Sequence, residues 1–298
     1  MNDIKPRISV VIPIYNEESS IQSILRSILQ QNTSDFILHE ILVLSDGSTD
    51  SSVSEVRKVK DSRITLYDYT DQQGQNARLN FAYSKCSGTI IITLDGDIEI
   101  SDRNLFQHLV TAHSVHKADI VCGNPVPLAP RNFIEKVAFF GADVDQSVKA
   151  KLEDKAMRYR LIGRIFSCTK ESLNGLVIPL DVSNDVYIYY YSKLKNRIIT
   201  FEPKAAVYFR LPSTLHDIVQ QYKRHLHTNH HIYFSKEVTQ REDTRTLQHI
   251  YPIFFKKSLR HPFLSIAFVL VYLKAVVLAK RYLRTATWEY IASTKNNA

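Results

Sequence analysis

The stretch from Thr89 to Ile100 constrains the fold more than any other part of the sequence, because a run of apolar residues ends in two aspartates one residue apart. Such a run is typical of a strand that is buried on both faces of a parallel sheet. Asp95 and Asp97 would then lie at the carboxyl edge of the sheet, where open α/β sheets bind ligands. Carboxylate oxygens suit Mg²⁺ or Mn²⁺, which usually takes further oxygens from a substrate diphosphate. We therefore expect a metal and nucleotide site here; the alternative is an aspartate-capped turn, since Asp-Gly is common turn chemistry.

The first hundred residues alternate between short apolar strands and amphipathic helices, which predicts a mostly parallel α/β sheet built from right-handed βαβ units. Polar residues follow the strands at Tyr15, Asp46 and Asp95, so we expect them at one edge of the sheet. The predicted strands are Ile8–Pro13, Ile41–Leu44, Ile64–Tyr67 and Thr89–Leu94, and the helices run over Ser19–Gln31, from about residue 50 to Lys60, and from Gly74 onward.

The second half of the chain has a less regular pattern. We predict helices at Asp102–His116, through most of Asn132–Asp154 and at Leu215–His227, and strands at Asp119–Gly123, Gly163–Thr169, Ile198–Phe201 and Ala206–Phe209. Pro203 separates the last two strands, because proline cannot donate a hydrogen bond to a sheet. A regular element is expected at Val186–Leu194, after the loop that ends in Asn184 and Asp185.

The net charge of +8 is concentrated near the C-terminus, where residues 251–298 contain eight lysines and arginines and one glutamate. A nucleic-acid-binding protein would carry its basic patch on the folded domain, so we expect no nucleic-acid partner. Basic residues that flank an apolar run favour an anionic membrane surface instead. The three isolated cysteines suggest neither a disulfide framework nor a zinc site, and the N-terminus enters a strand pattern directly, so we expect no signal peptide.

Taken together, the motifs resemble those of the family 2 inverting glycosyltransferases, which have the GT-A nucleotide-diphospho-sugar fold. In chain order they are Val10–Glu17 (V-V-I-P-I-Y-N-E), Ser45–Asp50 (S-D-G-S-T-D), Gly74–Arg78 (G-Q-N-A-R) and Leu94–Asp97 (L-D-G-D). Two weaker matches follow, Asn184-Asp185 to the acidic pair of the family and Gln221–His225 (Q-Y-K-R-H) to its Q-x-x-R-W motif. The resemblance covers roughly residues 8–230.

The resemblance implies a role for each matching residue. Asp95 and Asp97 would hold Mn²⁺ or Mg²⁺, and Asp185 would be the general base that takes the proton from the acceptor hydroxyl. Gln221, Arg224 and His225 would bind the diphosphate or the acceptor. The nucleotide would be bound by Pro13, Tyr15, Glu17, Asp46, Arg78 and Asp95.

Alternatives remain open for three of these residues: Asp46 as a loop cap, Asp185 as an N-cap and Arg78 as a solvated helix residue. The sequence also departs from the family pattern, because Asn184 replaces the first acid of the pair and His225 replaces the Trp of processive synthases. The histidine argues against a polysaccharide synthase, so a transferase that adds one sugar fits best. A UDP-sugar is the favoured donor. The rivals are a nucleotidyltransferase and an inactive membrane scaffold of the same fold.

The chain is expected to divide near residue 230. Residues 1–230 would form the GT-A domain, with a nucleotide-binding half over about 1–100 and an acceptor half over about 101–230, and residues 231–298 would form a helical, membrane-associating extension. Phe263–Leu273 is uncharged but is followed by Lys274, which favours an interfacial or re-entrant anchor over a full span or a core helix. We expect the cytoplasmic face of the membrane and a glycan or polyprenyl-linked acceptor; the oligomeric state is left open.

Overall fold

The computed structural model describes residues 5–152, 160–161, 163–226, 234, 249–279 and 291–295. In these residues the chain forms one eight-stranded mixed sheet with flanking helices. The strands are β1 Arg7–Ile14, β2 Ile37–Asp46, β3 Ile64–Tyr69, β4 Ile90–Leu94, β5 Ile98–Glu99, β6 Ile120–Pro127, β7 Ile165–Thr169 and β8 Ile199–Phe209. The helices are α1 Ile21–Leu29, α2 Ser52–Lys58, α3 Gln75–Lys85, α4 Leu105–His116, α5 Phe133–Leu152, α6 Asn184–Leu194, α7 Leu215–Leu226, α8 (residues 249–260), α9 Pro262–Ala279 and α10 Ala292–Lys295.

The strand order is β3-β2-β1-β4-β7-β6-β8-β5. Strands β1 to β4 pair with one another in parallel, as the alternation of strands and helices predicts. Strand β7 runs antiparallel to both β4 and β6, whereas β6 and β8 are parallel, so the second half is mixed. The carboxyl ends of β1, β2 and β4 therefore lie at one edge of the sheet, and they carry the polar motifs to it.

The two strands predicted on either side of Pro203 form one continuous strand, β8, so the expected break is wrong. The pairing with β6 passes from Cys122 opposite Phe201 to Asn124 opposite Ala206, and this shift accommodates the proline in an irregularity of the ladder. The amide of Asn124 donates to the carbonyl oxygen of Pro203 at 3.0 Å. A bulge tolerates a proline because the residue there needs no ladder hydrogen bond.

Both faces of the central strands are buried. Val10 and Ile12 of β1 face the core that contains α1, whereas Val11 faces the core that contains α3. The two cores exist because successive side chains of a strand point to opposite faces. The apolar run Ile90–Leu94 is fully buried in the same way, which confirms the two-sided burial expected for it.

Helix α9 is the helix among the described residues that is long and apolar enough to cross a membrane. The helix runs from Pro262 to Ala279 and passes through Lys274, so the lysine does not end it. Val271 and Ala275 pack against Ile218 of α7, and most of the remaining helix surface is exposed.

Helix α4 is joined to the sheet by a buried histidine. The ring of His113 uses Nδ1 to contact the carbonyl oxygen of Ala118 at 2.8 Å, and Nε2 to contact Oγ of Ser167 on β7 at 2.8 Å. The carbonyl can only accept, so Nδ1 carries the proton and Nε2 accepts from the serine. Burial lowers the pKa of His113, and the protein therefore favours the neutral ring.

We predict that this histidine makes the fold less stable in mild acid. Below the ordinary pKa of histidine, 6.5, the unfolded chain binds a proton at residue 113 that the folded chain does not bind. The free energy of unfolding therefore falls as the pH falls, by at most about 1.4 kcal/mol per pH unit. Urea unfolding at pH 7 and pH 5 should show a smaller loss for His113→Gln than for the wild type. The exposed His116→Gln is the control, and an unchanged loss in His113→Gln would contradict the prediction.

Candidate active site

The loop after β4 and the loop after β1 approach each other at Gly96. A Cβ atom at Gly96 would lie 2.9 Å from Cγ of Glu17 and 3.0 Å from Cγ2 of Ile14. Oγ of Ser20 donates to the carbonyl oxygen of Gly96 at 2.5 Å. A side chain at position 96 would force these loops apart, so the glycine between the two aspartates is what allows Glu17 to lie beside them.

Three acidic side chains, Glu17, Asp95 and Asp97, form what we call the carboxylate cluster, and two cations accompany it. Nη1 of Arg164 donates to Oδ1 of Asp97 at 3.0 Å. Nζ of Lys295 lies 3.4 Å from Oδ2 of Asp97 and donates to Oε1 of Glu17. The cluster is thus a buried acidic site that already accommodates positive charge.

Asp95 is held from two further elements. Its Oδ1 accepts a hydrogen bond from Nε2 of Gln75 at 3.2 Å, at the start of α3. Its backbone N–H donates to the carbonyl oxygen of Arg164 at 3.1 Å, just before β7. The end of β4 is therefore fixed by neighbours on both sides.

The electrostatics of the cluster differ from one acid to the next. Burial raises the pKa of Glu17 to about 8, against the opposing charge of Lys295. Burial and the neighbouring charge of Asp97 raise the pKa of Asp95. Burial also acts upward on Asp97, but the positive charges of Lys295 and Arg164 outweigh it and lower the pKa of that residue. Asp97 is consequently the acid of the cluster that most strongly retains its negative charge.

The donor set of the cluster fits a divalent cation that is shared with a substrate. Asp95 and Asp97 offer hard carboxylate oxygens. The ammonium of Lys295 lies between Asp97 and Glu17, so a positive charge is accommodated at this position. Among the described residues, no group of three or more His, Cys, Asp or Glu side chains is arranged to hold a metal by itself. Mg²⁺ commonly binds one or two carboxylates and completes its shell with waters and substrate phosphates, and this arrangement suits that mode.

Asp46 and Arg78 form a buried ion pair at the end of β2. Oδ1 of Asp46 accepts from Nε of Arg78 at 2.6 Å and from the backbone N–H of Gln73 at 2.9 Å, while Oδ2 accepts from the N–H of Gly74 at 2.8 Å. The guanidinium lies 3.7 Å from the ring centre of Tyr69. Arg78 is only 4 % exposed, so the alternative of a solvated helix residue is wrong. Asp46 orders the loop before α3 and fixes the arginine.

The Y-N-E and S-D-G-S-T-D motifs are hydrogen-bonded into one unit. Asn16 adopts a left-handed conformation with φ of 55°. Its Oδ1 accepts from the N–H of Thr49 at 2.8 Å, and its own N–H donates to Oγ of Ser48 at 3.2 Å. The N–H of Glu17 donates to Oγ of Ser52 at 2.6 Å. The loops after β1 and β2 therefore hold each other in place.

Pro13 and Tyr15, the other residues predicted to bind the nucleotide, belong to the same edge. Pro13 is buried in β1 opposite Leu44 of β2. Tyr15 follows the end of β1 and is half-buried. Both are close in sequence to Glu17 and lie at the carboxyl ends of parallel strands, as expected.

Asp185 is the second residue of α6, after the N-cap residue Ser183, so the alternative of an N-cap is wrong, although its side chain does accept from a backbone N–H of the first turn. Its Oδ1 accepts from Oγ of Ser183 at 2.5 Å and from the N–H of Val186 at 2.7 Å. A Cβ atom at Gly163 would lie 3.3 Å from Oδ1 of the adjacent Asn184, so this end of α6 borders the segment that supplies Arg164. A role as general base remains a prediction.

Gln221 and Arg224 lie on α7, one and two turns beyond Asp217. Residues 217, 221 and 224 share one face of a helix. Asp217 contacts α10, because its Oδ2 accepts from the N–H of Ser293 at 3.0 Å. Gln221 and Arg224 are half-buried, and the side chain of His225 lies outside the described part of the chain.

Sequence reasoning missed Arg164, Gln75 and Lys295 as members of this site. Gln75 is inside a motif of the resemblance, and its place at the start of α3 could have identified it. Arg164 and Lys295 carry no local signal, because they contact Asp97 from 67 and 198 positions away in the chain.

Comparisons with known proteins agree with this geometry. Residues 9–138 match the family model described as glycosyl transferase family 2. A curated relative, the undecaprenyl-phosphate 4-deoxy-4-formamido-L-arabinose transferase of Pseudomonas fluorescens (strain Pf0-1), is 28% identical over 177 residues, which are 55% of this chain and 51% of the relative. The protein of the same name from Salmonella choleraesuis (strain SC-B67) is 38% identical over 96 residues, or 31% of this chain and 29% of the relative. The matches thus span about half the length of these relatives or less.

Solved structures support the fold. The mannosyltransferase PcManGT of Pyrobaculum calidifontis, solved with GDP-Man and Mn²⁺, has a TM-score of 0.60 at 19% identity and covers 94% of this chain and 80% of its own. Residues 1–349 of S. aureus TarS, solved with UDP-GlcNAc, have a TM-score of 0.56 at 17% identity, with 91% and 81% covered. The GT-A-like architecture expected from the motifs is confirmed.

The family match covers the same part of the chain as the four ordered motifs. These motifs also converge at the carboxyl edge of the sheet. Residues 9–138 match the glycosyl transferase family 2 model, the family that the sequence motifs resemble.

Proposed function

We propose that this protein is an inverting glycosyltransferase that moves one sugar from a nucleotide diphosphate sugar to a hydroxyl or phosphate of a glycan or polyprenyl-linked acceptor. A UDP-sugar is the favoured donor, and Mn²⁺ or Mg²⁺ is the cofactor. The relatives named for transfer to undecaprenyl phosphate support a lipid-linked acceptor and a role in cell-envelope or polysaccharide synthesis. The activity would reside in residues 1–230, with residues 231–298 as a membrane-associating extension.

The observation that carries the proposal is the carboxylate cluster at the end of β4. Its two aspartates, joined by a glycine that permits the close approach of Glu17, supply oxygen ligands at the edge where α/β sheets bind nucleotides. A bound divalent cation would neutralise the charge that develops on the departing diphosphate. Arg164 supplies a further positive charge next to Asp97.

The nucleotide would lie over the loops that follow β1 and β2. Asp46 fixes Arg78 and the Gln73–Gly74 turn, so the base and ribose would meet a rigid wall. Because both oxygens of Asp46 already accept hydrogen bonds from the protein, we expect this residue to shape the pocket more than to bind the base directly. Pro13 and Tyr15 would complete that wall.

Asp185 would deprotonate the acceptor hydroxyl. A positioned carboxylate base contributes roughly 10²–10⁴-fold to such a transfer. One base and one displacement invert the anomeric centre. The Oδ1 of Asp185 is used in capping α6, which would fix the carboxylate and leave Oδ2 as the oxygen for the proton. Gln221, Arg224 and His225 on α7 would bind the diphosphate or the acceptor.

The surface of α8 and α9 would bring the site to a membrane on its cytoplasmic face. Exposed apolar side chains recur every three or four residues within each helix, and the basic residues Lys256, Arg260 and Lys274 are exposed beside them. An apolar face with flanking basic residues fits the surface of an anionic bilayer. The apolar side chains are Tyr251, Phe255 and Leu259 of α8 and Phe263, Ile266, Leu270, Leu273 and Val277 of α9.

Removing one carboxylate of the cluster tests the metal and donor site. We expect Asp97→Asn to lose the rise in melting temperature that a UDP-sugar with Mn²⁺ produces in the wild type, because bound ligand stabilises a protein by mass action. The thermal-shift series should include GDP- and TDP-sugars, each with and without Mn²⁺. Glu99→Gln makes the same change of charge two residues away on the surface and should keep the shift. An equal shift in Asp97→Asn would rule out this site.

Replacing the proposed base separates catalysis from capping. We expect Asp185→Asn to reduce kcat about 10²–10⁴-fold while the affinity for the nucleotide sugar stays the same. A variant that loses thermal stability but retains kcat would show that Asp185 is only a cap. Absence of transfer and of donor hydrolysis by the wild type, despite donor binding, would favour an inactive scaffold.

Vesicle cosedimentation tests the membrane surface. We expect the wild type to bind vesicles containing phosphatidylglycerol, and Ile266→Glu with Leu270→Glu to weaken that binding at least tenfold, because charges enter the headgroup boundary poorly. Leu194→Glu, at another exposed leucine, is the control. Equal binding of the wild type and the double variant would contradict the assignment.

A further inference from the structure

The cation position of the carboxylate cluster is filled by a side chain from the far end of the sequence. Lys295 is the last residue of α10, and its ammonium lies between Glu17 and Asp97 with the side chain only 11% exposed. Burying an ammonium is costly unless acidic partners surround it. Glu17 and Asp97 supply that compensation, so this placement depends on the same carboxylates that a divalent cation would need.

Helix α10 is held at this position by contacts other than the lysine ammonium. The N–H of Ser293 donates to Oδ2 of Asp217 on α7 at 3.0 Å. Oγ of Ser293 accepts from the N–H of Ser213 at 3.0 Å, before the start of α7. Oγ of Ser19 donates to the carbonyl oxygen of Lys295. These contacts anchor the backbone of α10 beside the cluster and aim its terminal side chain inward.

A divalent cation and the ammonium of Lys295 cannot share Asp97 without strong repulsion. A metal bound to Asp97 would lie within a few ångströms of Nζ, which is 3.4 Å from Oδ2 of that residue. Arg164 already contributes one positive charge at Oδ1 of the same carboxylate. Adding a double positive charge with both cations in place would leave the carboxylates of the cluster outnumbered by positive charge.

We propose that Lys295 is a tethered competitor for the divalent cation, so that α10 closes the donor site until metal and nucleotide displace it. The inference rests on the proposed metal and donor site and adds a means of regulating it. The occupant of the cluster in the resting protein is the chain itself. Release of α10 opens the acidic oxygens to the metal and frees Asp217, which lies on the face of α7 that carries Gln221.

The competition can be measured with Mn²⁺ alone, without donor, acceptor or turnover. Electron paramagnetic resonance titration of the full chain gives the dissociation constant of Mn²⁺. If the closed form occupies about nine tenths of the population, the apparent affinity is reduced about tenfold, so Lys295→Gln should bind Mn²⁺ about tenfold more tightly than the wild type. Lys295→Arg, which keeps the charge, should stay close to the wild type.

A second variant tests the anchor and leaves both the lysine and the carboxylate cluster intact. Asp217→Ala removes the acceptor for the N–H of Ser293, so it should weaken the docking of α10 and also tighten Mn²⁺ binding. Lys60→Gln makes the same change of charge as Lys295→Gln at an exposed position and should not alter the dissociation constant. Hydrogen exchange of the amides of residues 291–295 in the wild type should become faster when Mn²⁺ binds.

The outcomes separate this proposal from the proposed function. Equal Mn²⁺ affinity in the wild type and Lys295→Gln, with binding abolished by Asp97→Asn, would overturn the competition and leave the metal site standing. Weaker binding in Lys295→Gln would also overturn it, because the lysine would then support the bound metal or its ligands. Failure of every variant to bind Mn²⁺ would overturn both proposals.

Discussion

The rest of the site depends on the packing of three carboxyl groups, two directly after β4 and one in the loop after β1. Acids placed this close together and away from water need positive charge, which Arg164 supplies from the segment before β7 and Lys295 supplies from α10. Gly96 makes the packing sterically feasible, because a larger residue would strike Glu17. The ammonium of Lys295 meets this demand in the structure, and the divalent cation that we propose would meet it when the donor is bound.

The parts of the fold that the sequence predicted are those governed by local pattern. The apolar run before Asp95 must be buried on both faces, and strands that alternate with helices must form a mostly parallel sheet. Tyr15, Asp46 and Asp95 then reach one edge by topology alone. The S-D-G-S-T-D and Y-N-E loops interlock because Asn16 takes a left-handed conformation, which asparagine tolerates better than most residues.

The parts that the sequence did not predict depend on pairings between distant segments. Nothing near Lys295 indicates that it will meet Glu17, 278 positions away. The burial of Arg78 follows from its pairing with Asp46 across 32 positions, so a helix pattern could not distinguish it from a solvated arginine. Pro203 marked a break in the pattern, but a register shift between β6 and β8 absorbed it. In each case the structure at the residue is determined by its partner in a distant segment and not by the local sequence.

Helix α7 contacts both α9 and α10. Ile218 packs against α9, whose outer surface is apolar, while Asp217 one position earlier holds α10 at the carboxylate cluster. A bilayer that engages α9 would therefore act on an element that also positions α10 and carries Gln221 and Arg224. Such a route would couple arrival at a lipid-linked acceptor to the state of the donor site.

The proposed function requires the carboxylates at the end of β4 to bind a divalent cation together with a nucleotide diphosphate. Anomalous diffraction at the manganese edge, from crystals of the full chain grown with Mn²⁺ and UDP, tests it most directly. We expect one strong peak within bonding distance of an oxygen of Asp97 and of a phosphate oxygen, with Nζ of Lys295 withdrawn from the cluster. Bound UDP with no manganese peak at Asp95 or Asp97, or with its diphosphate turned away from them, would contradict the account.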